Sequence, residues 1–237
     1  MYDPLRDPYR DARRPLLLDL FCGAGGAAMG YYRAGFDIVG VDNRPQPRYP
    51  FIFVEADALE YCQVYGAGFD AIHASPPCQG YSVSRNNGYH QDAPLLIPAT
   101  REALVSSGRP FIIENVVGAR VALHHPYLIC GASFGLGIRG LQLSRHRLFE
   151  ASITLHVPSC THTPGRTIGV YGHGTNQWHR DLHGDFSVAE CRQAMGISWM
   201  PRHVLSQAIP PAYTQHIGRQ LLAHCATQQS LRAAEVA

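Results

Sequence analysis

The sequence predicts an α/β fold built on a doubly wound, mostly parallel sheet, and three observations carry that prediction. Short apolar runs alternate with helical stretches from Pro15 to Glu150. The first run ends in a glycine turn, Asp19-Leu20-Phe21-Cys22-Gly23-Ala24-Gly25-Gly26, which opens a helix. The second run ends in an acid, Asp42, placed 23 residues after Asp19 as a strand–helix–strand unit requires.

Taken in order, residues 1–14 have few apolar side chains and two Asp-Pro steps, and read as a mobile arm. Pro15–Leu20 is a buried strand, and Gly26–Ala34 the helix that follows it. Asp37–Asp42 and Phe51–Glu55 are strands, Ala58–Tyr65 a helix, and Phe69–Ala74 another strand. The stretch from Ser75 to about Gln91 is rich in Gly, Ser, Asn and Pro and reads as a loop. Pro98–Ser107 suits a helix and Pro110–Asn115 a strand, with Tyr127–Phe134 and Leu143–Glu150 as the last two strands. From 151 to 186 histidine, threonine and glycine become frequent and apolar periodicity is lost, which marks a small domain or insertion. Ser187–Gly196 and Pro211–Cys225 read as helices, the second with proline at its start, and 226–237 as a loose tail.

Bulk properties narrow the class. A chain of 237 residues fits one α/β domain with an appendage, and 46% hydrophobic against 16% charged residues can build a core. No apolar run approaches the ~18 residues of a membrane span, and the N-terminus lacks a signal-peptide core, so an intracellular, cytoplasmic protein is expected. Seven scattered cysteines without a CxxC pair suggest reduced thiols. Net charge is only +2, yet all 20 basic residues are arginine. Guanidinium forks suit phosphates and guanine edges, although a compositional bias toward arginine gives the same count.

Each chemistry-bearing motif has a plainer alternative. A glycine turn at a strand end lets backbone N–H groups approach a ligand, and Asp42 suits ribose hydroxyls; tight strand–helix packing selects the same glycines. Cys78, in Ser75-Pro76-Pro77-Cys78-Gln79, follows a strand at the carboxyl edge where ligands bind. A free thiol with a pKa near 8.5 needs a nearby arginine or helix end to act as a nucleophile, and a loop cysteine without a role is the alternative. Glu114 ends the apolar run Phe111-Ile112-Ile113, where burial would raise its pKa and let it donate to a ring nitrogen; otherwise it faces water. Arg145 and Arg147 share one strand face by period two, which meets an anion or a base edge, or belongs to a solvated edge strand. Cradle, thiol and acid together suit an electron-poor aromatic ring: the thiolate adds, the acid stabilises the charge, and a bound electrophile delivers one carbon.

In this order the motifs resemble the DNA cytosine-C5 methyltransferase family over about residues 15–225. The Asp19–Gly26 run is similar to its cofactor motif, Ser75–Gln79 to its nucleophile motif and Glu114-Asn115-Val116 to its ENV motif. Arg145-His146-Arg147 is similar to its arginine pair, and Gln207-Ala208-Ile209-Pro210-Pro211 to the segment that returns to the catalytic domain. The resemblance implies a Rossmann-like class I methyltransferase fold, S-adenosylmethionine as donor and double-stranded DNA as substrate, with no membrane and no obligatory protein partner. It implies a catalytic set of Cys78, Glu114, Arg147, Arg145 and Asn115, in which Cys78 attacks C6 of a flipped-out cytosine while Glu114 engages N3 and the exocyclic amine. Phe21 would lie against the adenine, Asp42 hold the ribose, and Asp57 sit near the adenine amine. The rest of the glycine turn, Asn43, Ala58, Pro76, Gln207 and Ala208 complete the implied cofactor set, and Pro77, Gln79 and Ser82 line the substrate side.

The implied organisation is an arm at 1–14, a catalytic domain at 15–150, target recognition at 151–186, closing helices at 187–225 and a tail at 226–237. So short a recognition region predicts a short or degenerate target. Two departures stand out: Leu143, not glutamine, lies two residues before Arg145, and Gln207 replaces a common asparagine. No metal is assigned; Cys160-x-His162 with His156 lacks a standard ligand spacing, and these residues, like His173, His179 and His183, read as loop groups facing DNA or solvent. The same chemistry on RNA, or a non-catalytic DNA-binding regulator on the same fold, are the alternative functions.

Overall fold

The computed structural model describes residues 14–82, 92–171 and 185–236. A seven-stranded sheet runs in the order β3-β2-β1-β4-β5-β9-β6. Its parallel part comprises β1 (Leu16–Leu20), β2 (Asp37–Asp42), β3 (Ile52–Glu55), β4 (Ala71–Ala74) and β5 (Phe111–Asn115). The antiparallel edge comprises β9 (Arg147–Ala151) and β6 (Tyr127–Ile129). Strand order reverses between β1 and β4, so the loops leaving those strands flank a crevice at the carboxyl edge.

Apolar cores cover both sheet faces. Helices α2 (Ala58–Tyr65) and α3 (Ile97–Ser106) pack on one face with Leu18, Leu20, Ile72 and Ile113. On the other, α1 (Gly26–Ala34) and α6 (Pro211–Val236) pack with Leu17, Ile112 and Phe149. Those two helices nearly touch: a Cβ on Gly30 would strike Thr214, and one on Gly218 would lie 2.8 Å from the Ala34 methyl. A second sheet, in the order β10-β8-β7, joins β7 (Gly137–Ile138), β8 (Leu141–Leu143) and β10 (Thr167–Ile168). It shares a third core with α4 (Val188–Met195) and α5 (Arg202–Leu205) through Leu143, Ile168, Phe186 and Met195. Ser187 and Glu190 close a capping box at the start of α4.

Three expectations are corrected. Tyr127–Phe134 is a strand only to Ile129; Gly131–Phe134 is a 3-10 turn, because Gly131 lies so close to Leu143 that any Cβ would clash at 2.8 Å. Leu143–Glu150 is divided between the two sheets, with Ser144–His146 as the link, since Leu143 ends β8 and Arg147 begins β9. The last helix does not stop near Cys225: Ala226-Thr227-Gln228-Gln229-Ser230-Leu231 contains no breaker, and the helix continues to Val236. Among the described residues no helix is long and apolar enough to cross a membrane. Residues 1–13 of the expected arm, residues 83–91 of the expected loop, and His173, His179 and His183 lie outside the described residues.

Candidate active site

The carboxyl edge gathers the predicted groups. At the end of β1 the chain turns through Phe21, whose φ of 56° lies in the left-handed region that a bulky side chain rarely adopts. Gly23 donates its N–H to Asp42 Oδ2 at 3.0 Å, and Arg44 N–H reaches Asp42 Oδ1 at 3.1 Å. The Tyr49 hydroxyl donates to Asp19 Oδ2 at 3.1 Å, while Asp19 Oδ1 is buried without a partner. Burial raises the Asp19 carboxyl well above the usual range, the Tyr49 hydrogen bond opposes that rise, and the charge of Asp42 adds to it. A positively charged ligand group would reverse that cost.

The glycines divide by function. A Cβ on Gly23 would meet nothing within 4 Å, so the turn is open there. On Gly25 it would lie 2.8 Å from Pro50 Cδ, and on Gly26 2.5 Å from the Ile209 carbonyl. The last two therefore admit protein rather than ligand. Ala24 packs into the third core, and its carbonyl accepts the Trp199 indole N–H at 2.9 Å. Ala58 is buried in the first core, and Asp57 caps α2, accepting the N–H groups of Leu59 and Glu60 at 2.9 Å each. Asn43 and Gln207 are exposed, while Ala208 lies against Gly26. The Cys22 thiol is buried beside Asp19 and Asp42, and burial first and those charges second push it far up, so it stays neutral.

Beyond β4, Asn115 Nδ2 donates to the Pro76 carbonyl at 2.9 Å and clamps the Pro76–Pro77–Cys78 loop to the end of β5. Cys78 is half-buried and opens the 3-10 turn Gln79–Tyr81, where Ser82 Oγ donates to the Gln79 carbonyl at 3.2 Å. Gln79 Oε1 is buried without a partner. Antiparallel pairing of β9 with β5 sets Arg147 beside Glu114, with Arg147 Nε 3.1 Å from Glu114 Oε1. Burial raises the Glu114 carboxyl, opposed by Arg147, then by a Ser75 hydrogen bond and by Arg145. Burial also raises the Cys78 thiol, the charge of Glu114 adds to the rise, and Arg147 opposes it. Thiol, carboxyl and guanidinium are thus electrostatic neighbours.

Sequence reasoning missed the hydrogen-bond chain behind Glu114. Tyr31 Oη lies 3.0 Å from His73 Nδ1, and His73 Nε2 lies 2.9 Å from Ser75 Oγ. Burial pushes the His73 imidazole down to about 3, so it is neutral. If the Ser75 hydroxyl serves the Glu114 carboxylate, its oxygen must accept from His73 Nε2–H, which leaves Nδ1 to accept from Tyr31. All donors then point toward Glu114. A histidine inside the apolar run Ala71-Ile72-His73-Ala74 was the available signal.

Arg145 departs from expectation. It lies in the Ser144–His146 link, not on the β9 face, and its guanidinium donates to the carbonyls of Val170 (2.8 Å), Ser206 (2.7 Å) and Ala208 (3.0 and 2.8 Å). Residue separation by two places side chains on one face only inside a strand, and here the strand begins at Arg147. A separate cavity of about 460 Å³, lined by Asp70, Arg109, Ser152 and His224 among others, opens where β4 and β5 begin, remote from this chemistry.

Replacing Asp19 by asparagine is expected to weaken binding of the S-adenosylmethionine that the sequence resemblance implies about tenfold to a hundredfold, the loss of one charge-assisted contact. Calorimetric titration checks this; unchanged affinity would remove Asp19 from the ligand site.

Comparison with known proteins points the same way. A family model for C-5 cytosine-specific DNA methylase matches residues 16–126. The type II methyltransferase M.HgiGI of Herpetosiphon aurantiacus is 32% identical over 123 residues, 46% of this chain and 95% of that protein. M.XorII of Xanthomonas oryzae pv. oryzae is 29% identical over 132 residues, 48% of this chain but only 31% of its own length. For M.AgeI of Thalassovita gelatinovora the aligned part is likewise 28% of the relative, so the chain spans under a third of both. Among solved structures, the S. pombe Dnmt2 methyltransferase superposes with a TM-score of 0.59 at 12% identity, over 89% of this chain and 98% of that one. The Entamoeba histolytica methyltransferase EhMeth does so with a TM-score of 0.56 at 11% identity, over the same 89% and 98%. At these identities the two structures establish the Rossmann-like methyltransferase fold.

Proposed function

The chain belongs to the DNA cytosine-C5 methyltransferase family, and we propose that it methylates C5 of a cytosine flipped out of double-stranded DNA, through a covalent bond from Cys78 to C6. The observation that carries this reading is the buried Glu114–Arg147 ion pair, 3.1 Å, beside the Cys78 thiol at the carboxyl edge. Flipping costs a few kcal/mol of unstacking, which contacts to the displaced base must offset.

The residues present suit S-adenosylmethionine. Asp19 offers a buried, unpartnered carboxylate oxygen to a cationic group, Asp42 offers a carboxylate to a ribose diol, and Gly23 leaves room for both. When bound, this donor supplies an electrophilic methyl group. Cys78 adds to C6 as a thiolate, and the C5=C6 π electrons move into the ring. Protonated Glu114 donates to N3 and accepts from the exocyclic amine, so charge drains from the ring as the bond to sulfur forms. Arg147 steadies Glu114 and favours the Cys78 thiolate, and Asn115 holds the loop that carries the thiol. Gln79, with an unsatisfied Oε1, is placed on the same loop to receive a donor from the DNA. Once C5 is methylated, loss of its proton restores the double bond and expels the thiolate.

The pH dependence follows from two raised groups. Thiolate forms as pH rises, whereas the proton that Glu114 must keep is lost as pH rises, so the form holding both is greatest at intermediate pH. Adduct formation should therefore rise and then fall with pH. Glu114→Gln should lower the maximum about 10²-fold and remove the falling limb; a profile unchanged by that substitution contradicts the acid role.

Labelled methyl transfer into duplex DNA, with the product nucleoside identified, tests the function. The expected product is 5-methylcytosine, with little label in tRNA; label confined to tRNA, or at an exocyclic amine, overturns it. Bisulfite sequencing of DNA from expressing cells should show a short or degenerate context. Modification confined to six or more fixed bases would overturn that part of the proposal.

A further inference from the structure

Four side chains outside the reaction site converge. One ligand atom from each of Cys130, His146, Cys160 and His162 lies within 4.8 Å of every other. His146 Nε2 is 3.3 Å from Cys160 Sγ, and the two imidazoles sit edge to face with centroids 5.1 Å apart. His162 Nδ1 is buried with no hydrogen-bond partner. An orphaned ring nitrogen costs about 1–3 kcal/mol unless its lone pair finds a partner.

We propose that these four residues bind one Zn²⁺ in a tetrahedral Cys₂His₂ site. Zinc–sulfur bonds of ~2.3 Å and zinc–nitrogen bonds of ~2.0 Å place tetrahedral ligand atoms roughly 3.3–3.8 Å apart. The spread among these atoms needs only side-chain adjustment to reach that geometry. Two thiolates and two neutral imidazoles neutralise the dication, and binding releases the two thiol protons. All four protein positions are filled, which makes the site structural, not catalytic.

The ligands come from three segments of the chain, which β6–β9 pairing and the bond from Ser133 Oγ to the Ser159 carbonyl already bring near one another. Cys130 directly follows β6, His146 lies in the link between the two sheets, and Cys160 and His162 belong to a stretch without helix or strand from 152 to 166. Zinc there anchors that irregular stretch to the catalytic sheet. It also fixes His146, whose neighbours are Arg145, bonded to the returning segment, and Arg147, paired with Glu114. The site therefore positions residues on both sides of the chemistry. Fifteen residues separate Cys130 from His146 and thirteen separate His146 from Cys160, a spacing that hides the set in the sequence. His156, which lies near Cys160 and His162 in the sequence, is not in the cluster.

Mass-spectrometric metal analysis of the purified full chain is expected to find about one zinc per chain, displaced by chelator with a lower melting temperature. Cobalt substitution should give the intense d–d bands of tetrahedral coordination and thiolate charge transfer. Cys160 is exposed and His162 partly so, so Cys160→Ala and His162→Ala should fold, yet lose most of the bound metal and change the cobalt spectrum. Zinc-free protein that does not take up added zinc would overturn the proposal. So would a Cys130–Cys160 disulfide in the native chain, or zinc retained unchanged in both variants.

Discussion

Cys78→Ser is expected to reduce methyl transfer by at least about 10⁴-fold and to abolish covalent trapping by 5-fluorocytosine DNA. Fluorine at C5 cannot depart as a cation, so an enzyme that adds sulfur to C6 and then methylates C5 stays attached. A serine hydroxyl ionises far less readily than a thiol. Among the described residues the site also lacks an obvious base for it, since Glu114 is raised and paired with Arg147, and His73 is neutral and committed to Tyr31 and Ser75. Donor and DNA affinities should change only a few-fold, because the substitution keeps the volume of a half-buried side chain and leaves Pro76 clamped by Asn115. Methyl transfer above about 1% of the original, or a persistent trapped complex, would mean that another group attacks the base. Loss of DNA binding alongside activity would point instead to a collapsed loop.

The placement of the candidate groups was legible wherever a motif is contiguous. Gly26–Ala34, Asp37–Asp42 and Ala58–Tyr65 occur with the bounds expected from turn residues and apolar runs. The groups at the ends of β1, β2, β4 and β5 meet because parallel pairing puts consecutive carboxyl ends on one edge. What escaped depends on partners distant in sequence. Arg145 and Arg147 look alike on paper, but a change of sheet between Leu143 and Arg147 sends one to carbonyls and the other to a carboxylate. No local pattern encodes that change, since Leu141-Gln142-Leu143 and Leu148-Phe149 are both strand-like. The zinc ligands were hidden for the same reason. The Tyr31–His73–Ser75 chain required α1 to be laid against β4 before its donors could be counted.

Arg145→Ala is expected to destabilise the fold by about 3–5 kcal/mol, a large part of the 5–15 kcal/mol typical of a domain. Only 1% of the side chain's surface is exposed, and its donors satisfy carbonyls in two segments that lack regular partners at those positions. Burial pushes the guanidinium down to about 9, so it is still charged at neutral pH and its hydrogen bonds are charge-assisted. Truncation leaves those oxygens facing a void, at about 1–3 kcal/mol for each that water cannot reach. The Tyr213 hydroxyl, donating to the Arg145 carbonyl at 2.5 Å, retains the backbone but not the lost forks. For a chain of this size the melting temperature should fall by roughly 6–20 °C. Activity should show how the loss is transmitted. The Ile209 carbonyl lies against Gly26 at the opening of α1, so loosening Ser206–Ala208 loosens the glycine turn on which the proposed donor site is built. The donor KM should then rise more than kcat falls, whereas loss of a group that touches the reacting base would act first on kcat. Arg145→Lys keeps one charge but not the fork, and should recover only part of the stability. Melting within 2 °C of the original would show that water or the neighbouring turns replace the guanidinium. The returning segment would then hold its place through Gly26 and the third core alone.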